Sequence, residues 1–348
     1  MSRTVSIGPL KVGGKNPVRI KGMLKGRMDD WPALRREAKR LEREGAEAIR
    51  IAVKHKKDSA IAGYIKKRVR VPLVADIHFQ HRLALQAIEQ GFDGIRLNPL
   101  NITGAAQVRE VARAAKQNGV SIRVGVNSGG FRQGTGGEGR LARQMVAAVS
   151  RYIKLLEKEH FFDIMVSLKA STVPATVKAN RLFRDTFQYP LHLGVTASGP
   201  FLEGVVKSSL GIGMLLAEGI GEVIRVSLTG PSFWEIRVAK SILQSLGRRH
   251  FYPEIISCPT CSRCQVNLVR IVDRFRNEVN RLQSQGVSFP KKIALMGCEV
   301  NGPGEAAQAE VGVAFGKGRG VIFRKNKIIG TIPETAHARD ILSKMGVL

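Results

Sequence analysis

Along the first two-thirds of the chain, short apolar runs alternate with longer stretches in which apolar residues recur every three or four positions. The runs at 18–23, 48–52, 73–76, 94–97, 121–126, 164–168, 191–195 and 222–226 predict eight strands. The stretches at 31–44, 80–90, 105–118, 139–159, 172–185 and 204–219 predict helices, several of them closed by a glycine (Gly45, Gly91, Gly119, Gly219) suited to a helix C-cap. Strand and helix alternating eight times is the pattern of a parallel eight-stranded (β/α) barrel of the TIM type. The usual length of such a barrel, about 250 residues, takes it to roughly residue 246. Beyond that point the rhythm changes. A helix at 265–283 and strands at 292–296, 309–315, 320–324 and 327–331 predict a small α+β module, so the expected domains are 1–246 and 247–348.

Parallel barrels carry their active sites at the C-terminal ends of the strands, so the polar residues closing each strand are the candidates. They are Arg50; Asp76 and His78; Arg96, Asn98 and Asn101; Arg123, Asn127 and Ser128; Ser167 and Lys169; His192 and Thr196; and Arg225, Ser227 and Thr229. Arginines and a lysine converging on one mouth with few carboxylates repel one another unless an anion joins them. Guanidinium binds phosphate in two-pronged fashion, each charge-assisted bond being worth roughly 1.5–3 kcal/mol, and a diphosphate is the economical anion. His78 and His192 stand where they can donate hydrogen bonds or protons. The stretch 128–139, with six glycines in twelve residues, allows backbone amides to approach an anion closely and equally suits a plain loop. It matches no nucleotide-binding pattern.

Composition narrows the class. The chain has 348 residues, 43% of them hydrophobic, and a formal charge of +28. Its basic residues are scattered over helix faces without interleaved aromatics for base stacking, which argues for a solvated surface and against nucleic acid. There is neither a secretory signal pattern nor an apolar run long enough to span a membrane, so a cytoplasmic protein without a membrane partner is expected. Four cysteines, three of them between 258 and 264, point to metal rather than disulfides.

The thiols form two groups: Cys258-Pro-Thr-Cys261 with Cys264 close behind, and Met-Gly-Cys298, followed by Asn301-Gly-Pro-Gly-Glu305. Spacing alone admits zinc, a redox dithiol, or an all-thiolate cluster that only transfers electrons. The turn before Glu305 favours a fourth reading. Three thiolates and a carboxylate would hold a [4Fe-4S] cluster in which the harder, more exchangeable oxygen ligand leaves one iron open to substrate.

These segments, together with Val74-Ala-Asp-Ile-His-Phe79, Gly125-Val-Asn-Ser-Gly129, Leu191-His-Leu-Gly-Val-Thr196 and Ile224-Arg-Val-Ser-Leu-Thr229, resemble the bacterial 4-hydroxy-3-methylbut-2-enyl diphosphate synthases of the methylerythritol phosphate route to isoprenoids. The resemblance spans about residues 5–332. It implies an iron-sulfur oxidoreductase that reductively dehydrates and ring-opens 2-C-methyl-D-erythritol 2,4-cyclodiphosphate. Reduced flavodoxin or ferredoxin would supply electrons, and a head-to-tail homodimer would set one subunit's cluster domain over the other's barrel. By the same resemblance Cys258, Cys261, Cys298 and Glu305 hold the cluster, Glu305 also serving catalysis. Arg50, Arg96, Arg123 and Lys169 grip the diphosphate, and Asn98, Asn127, Arg225 and Ser227 lie near the ring, with His192 also lining the site. Asp76 and His78 are the expected proton carriers, which requires a neutral Asp76. The chain departs from the family pattern at Lys21-Gly22-Met23, where Gln-Ser-Met is usual, at Ala197, where an acidic residue is usual, and at Cys264.

Overall fold

A computed structural model of the chain describes residues 1–131, 137–298, 305–325 and 327–348, with the side chains of Glu305 and Ala307 outside that description. The chain divides into two compact units, Met1–Arg249 and His250–Leu348.

In the first unit an antiparallel hairpin, β1 (Val5–Ile7) and β2 (Leu10–Val12), precedes eight parallel strands. These are β3 (Arg19–Met23), β4 (Ala48–Val53), β5 (Leu73–Ile77), β6 (Gly94–Leu97), β7 (Ser121–Asn127), β8 (Ile164–Lys169), β9 (His192–Leu193) and β10 (Val223–Ile224). Their order, β8-β7-β6-β5-β4-β3-β10-β9, is closed by a parallel bridge between Val166 and Leu191, which makes the sheet a barrel. The eight expected strands are all present. β9 and β10 are the shortest, because their apolar runs lead directly into irregular backbone at Gly194 and Arg225.

Around the barrel lie α1 (Trp31–Glu44), α2 (Ile61–Lys66), α3 (His81–Glu89), α4 (Ala105–Gln117), α5 (Gly137–Lys158), α6 (Val173–Thr186), α7 (Phe201–Ala217) and α8 (Ser232–Ser245). The first helix shows how the local sequence sets these boundaries. Asp30 caps its N-terminus by accepting from Ala33 N at 2.9 Å, and Pro32 occupies the first turn, where no amide donor is lost. Gly45 ends it in a left-handed conformation at φ 100° that any side chain would strain. Leu34, Ala38 and Leu41, at helical spacing, bury the inner face.

The N-terminal end of the barrel is sealed by the hairpin. Val5, Ile7 and Val12 pack with Val74, Met165 and Val223 into one buried apolar cluster.

The second unit is a five-stranded sheet of order β11 (Glu254–Ser257), β12 (Lys292–Met296), β13 (Val311–Phe315), β14 (Arg319–Arg324) and β15 (Lys327–Pro333), with α9 (Leu268–Gln283) and α10 (Ala338–Lys344). The first three strands run parallel and the last two antiparallel. Phe275, Val279 and Leu282 of α9 and Ile341 and Leu342 of α10 share a core with Ile293, Leu295, Val313 and Phe315. The C-terminal helix α10 carries no strong sequence signal and was not foreseen. Among the described residues no helix is long and apolar enough to cross a membrane.

Candidate functional site

Side chains alternate along a strand, so register decides which ones face the barrel axis. The pairings Met23 with Arg50, Ala52 with Asp76, Asp76 with Arg96, Arg96 with Arg123, Gly125 with Ser167 and Asn127 with Lys169 put these residues in one phase. His192 pairs with Val223, and Val223 with Arg19, which brings Arg225 and Lys21 into the same phase. The candidates in this phase therefore face the barrel interior or its C-terminal rim, above the apolar floor made by Val74, Met165 and Val223.

Contacts between the side chains bear this out. Asp76 is the hub: its Oδ2 lies 3.1 Å from His78 Nε2 and 3.7 Å from Arg50 Nη2, and its Oδ1 lies 3.5 Å from Arg96 Nη1. Arg96 Nη2 donates to the Gly125 carbonyl at 2.9 Å, and Arg123 Nη1 donates to Ser167 Oγ at 2.5 Å. The absent side chain of Gly125 leaves room for both guanidinium groups, since a Cβ there would stand 2.9 Å from Arg123 Nη1 and 3.3 Å from Arg96 Nε. Lys169 Nζ is 3.5 Å from His192 Nε2. Arg225 donates to Ser227 Oγ and pairs with Glu235 of α8 at 3.2 Å. Asn98 is half-buried, whereas Asn127 and His78 are exposed at the rim.

Two further residues join this group: Lys21, which the sequence reading marked only as a departure from the family pattern, and Glu235, which it did not single out. A lysine in an apolar run reads as an edge residue, and a glutamate on a helix reads as surface. Only the strand register and the Arg225 contact place them. Among the described residues, four arginines, Arg50, Arg96, Arg123 and Arg225, and two lysines, Lys21 and Lys169, line the interior, against two carboxylates, Asp76 and Glu235. Glu235 is further shared with Lys25 at 2.9 Å.

This imbalance governs protonation. Burial acts to raise the Asp76 pKa, but Arg50, the His78 hydrogen bond, Arg96 and Arg123 outweigh it and hold the carboxyl well below the ordinary carboxylate range. Asp76 is thus ionised, the opposite of what a proton-donating Asp76 requires, and His78 Nε2 is the donor in their bond. Burial, reinforced by the surrounding cations, pushes Lys169 well below the lysine range and His192 well below the imidazole range, so the His192 ring is neutral. Arg50 Nε, Arg96 Nε, Arg123 Nε and Nη2, Arg225 Nε and Lys21 Nζ are buried without a hydrogen-bond partner. So many orphaned donors on neighbouring inward-facing side chains are a donor set that an anion would satisfy.

In the second unit, Ser257 pairs with Leu295, so Cys258 and Cys298 follow the C-terminal ends of adjacent parallel strands, where α/β sheets place their ligands. Gly297 N donates to Cys258 Sγ at 3.3 Å, a bond that suits a thiolate or a cluster sulfur ligand. Cys258 and Cys298 are buried and Cys261 is exposed. The Arg263 amide beside the Cys261 thiol lowers its pKa, easing the deprotonation that metal binding needs. Cys264 Sγ points at the Val266 carbonyl, 3.2 Å away, and packs against Gly297. Among the described residues no three thiol, imidazole or carboxylate groups are gathered into a metal site as they stand. The donor set nevertheless fits iron: soft thiolates from two neighbouring strand ends, with an N–H···S bond already in place. The Glu305 side chain lies outside the described residues, as does much of the glycine-rich stretch at 132–136.

Comparison with known proteins agrees with both halves. The GcpE TIM-barrel domain matches residues 2–240, and the GcpE protein C-terminal domain matches residues 254–346. A 4-hydroxy-3-methylbut-2-en-1-yl diphosphate synthase (flavodoxin) of Thermodesulfovibrio yellowstonii is 47% identical over 346 residues, 99% of this chain and 98% of that protein. The same-named protein of Caldanaerobacter subterraneus subsp. tengcongensis is 42% identical over 347 residues, 99% and 96% of the two chains. Among solved structures, dihydropteroate synthases of Yersinia pestis and Coxiella burnetii align with TM-scores of 0.52 and 0.53 at 11% and 13% identity. Each covers 71% of this chain and 100% of its own, a likeness of barrel fold alone. With both of its units matched and its relatives similar over nearly their whole length, the chain belongs to the GcpE family.

Proposed function

We propose that the chain is a 4-hydroxy-3-methylbut-2-enyl diphosphate synthase. It takes two electrons and two protons to open the ring of 2-C-methyl-D-erythritol 2,4-cyclodiphosphate and expel water, serving isoprenoid precursor synthesis. The observation that carries this reading is the ring of inward cations with orphaned N–H groups, which a diphosphate would satisfy. Arg50, Arg96, Arg123 and Lys169 bind its oxygens. Asn98, Asn127, Arg225 and Ser227 orient the ring, and neutral His192 holds Lys169 in place. His78 carries a proton at Nε2. Asp76, being ionised, orients His78 and the two guanidinium groups rather than donating a proton.

Cys258, Cys261, Cys298 and Glu305 would hold a [4Fe-4S] cluster. When bound, that cluster supplies single-electron transfer and a Lewis-acidic iron with one exchangeable position. Reduced flavodoxin, which the relatives' names carry, is the electron donor that fits this reading, in the cytoplasm and with a head-to-tail homodimer as the working assembly. Anaerobic purification and assay with the cyclic diphosphate and an artificial reductant test it. A brown protein with iron and labile sulfide in equal amounts, turning over the substrate, is expected. A colourless protein with stoichiometric zinc and no labile sulfide refutes it.

A further inference from the structure

Lys21 is among the largest fully buried side chains of the molecule, 1% exposed, and its Nζ has no hydrogen-bond partner. The strand register puts it in the phase of the other inward residues, just above the apolar floor. The groups facing it are Arg50 of β4, Asp76 of β5, Arg123 of β7, Lys169 of β8, His192 of β9 and Arg225, which follows β10. Burial, then Arg123 and Arg50, hold its amine well below the lysine range, and Asp76 offsets this only in part. A methionine of similar length would fill the space without leaving a buried polar atom unpaired. The buried amine thus carries a cost at this position that Asp76 offsets only in part.

We propose that Lys21 is a substrate ligand: its Nζ binds an oxygen of the diphosphate at the floor of the barrel, beneath the arginines. An anionic oxygen supplies both the missing hydrogen-bond acceptor and the counter-charge. The amine therefore takes one proton from solvent as the anion enters, becoming an ammonium, and no bond in the substrate is made or broken. This rests on the barrel interior being the diphosphate site.

The test is calorimetric titration of the full-length, cluster-loaded protein with inorganic diphosphate near about pH 8, in two buffers of different ionisation heat. Loss of one charge-assisted bond weakens binding about 10- to 100-fold in Lys21→Met. Proton uptake per site should fall by about one relative to the parent, since the ligand's own titration is common to both. Lys21→Gln, which keeps a donor, should recover part of the affinity while its proton uptake stays low. Thermal unfolding of the ligand-free Lys21→Met protein should be no lower than the parent's, because an unpaired buried amine has been removed. Equal affinity and unchanged uptake in Lys21→Met would sink the assignment and leave the diphosphate site standing. Failure of the parent itself to bind diphosphate would overturn both.

Discussion

Asp76→Asn separates the electrostatic role of this carboxylate from its shape. The side chain is 4% exposed and meets three positive or proton-donating partners at 3.1, 3.5 and 3.7 Å. At an effective dielectric of about 20, each of the longer pairs gains roughly 4–5 kcal/mol before desolvation. After desolvation, removing one member of a buried ion pair typically costs about 3–5 kcal/mol. Taking about 3 kcal/mol, and about 2–4 °C per kcal/mol for a unit of this size, the melting temperature should fall by about 6–12 °C. Because the Asp76 pKa is depressed in the fold, its contribution is complete above the unfolded-state value of about 4 and is lost as the pH falls below it. The deficit should therefore be constant from about pH 5 to about pH 8 and shrink in acid. Saturating diphosphate supplies replacement negative charge, so the gap between parent and variant should narrow when it is added. Scanning fluorimetry over pH, with and without diphosphate, reads all three. An unchanged melting temperature, or a deficit that diphosphate deepens, would refute the picture of Asp76 as the counter-charge of an otherwise cationic well.

Other substitutions probe the remaining parts. Arg123→Met removes a buried cation that has two orphaned nitrogens, so diphosphate affinity should fall about 10- to 100-fold while the ligand-free melting temperature holds or rises, as measured by calorimetry and thermal shift. Gly125→Ala puts a Cβ 2.5 Å from Ser167 Oγ and against both guanidinium groups, so the chain should still fold, by circular dichroism, but bind diphosphate more weakly in titration. Gly297→Ala drives a methyl group into Cys264 Sγ, an overpacking cost of about 1–3 kcal/mol. Adding Cys264→Ala should restore the melting temperature. Cys264→Ser alone should leave the iron and sulfide content unchanged, whereas Glu305→Ala should alter the visible and paramagnetic spectra of the reduced protein.

The barrel was legible because its strands and helices have different hydrophobic periods, and seven of its eight strands led into a polar residue that register then turned inward. Charge state was not legible. Asp76 reads as a possible acid along the chain, and only the assembled ring of Arg50, Arg96 and Arg123 makes it a permanent anion. Glu235 escaped notice, and Lys21 stood out only as a departure from the family pattern, for a related reason: their placement comes from partners far away in sequence, with no local motif to mark it. The helix Ala338–Lys344 is only seven residues long, too short for its periodicity to stand out, and it is held by packing against the sheet.

The hairpin at the start of the chain has a kinetic consequence. By packing against Val74, Met165 and Val223 at the N-terminal strand ends, it leaves the inward-facing cations to be reached from the C-terminal strand ends. Under the proposed reaction the product still carries the diphosphate by which the substrate was held. It must back out past the same arginines before another molecule can enter. Departure and arrival cannot overlap, so accumulating product should inhibit competitively, and the grip that secures the substrate also sets how quickly the barrel empties.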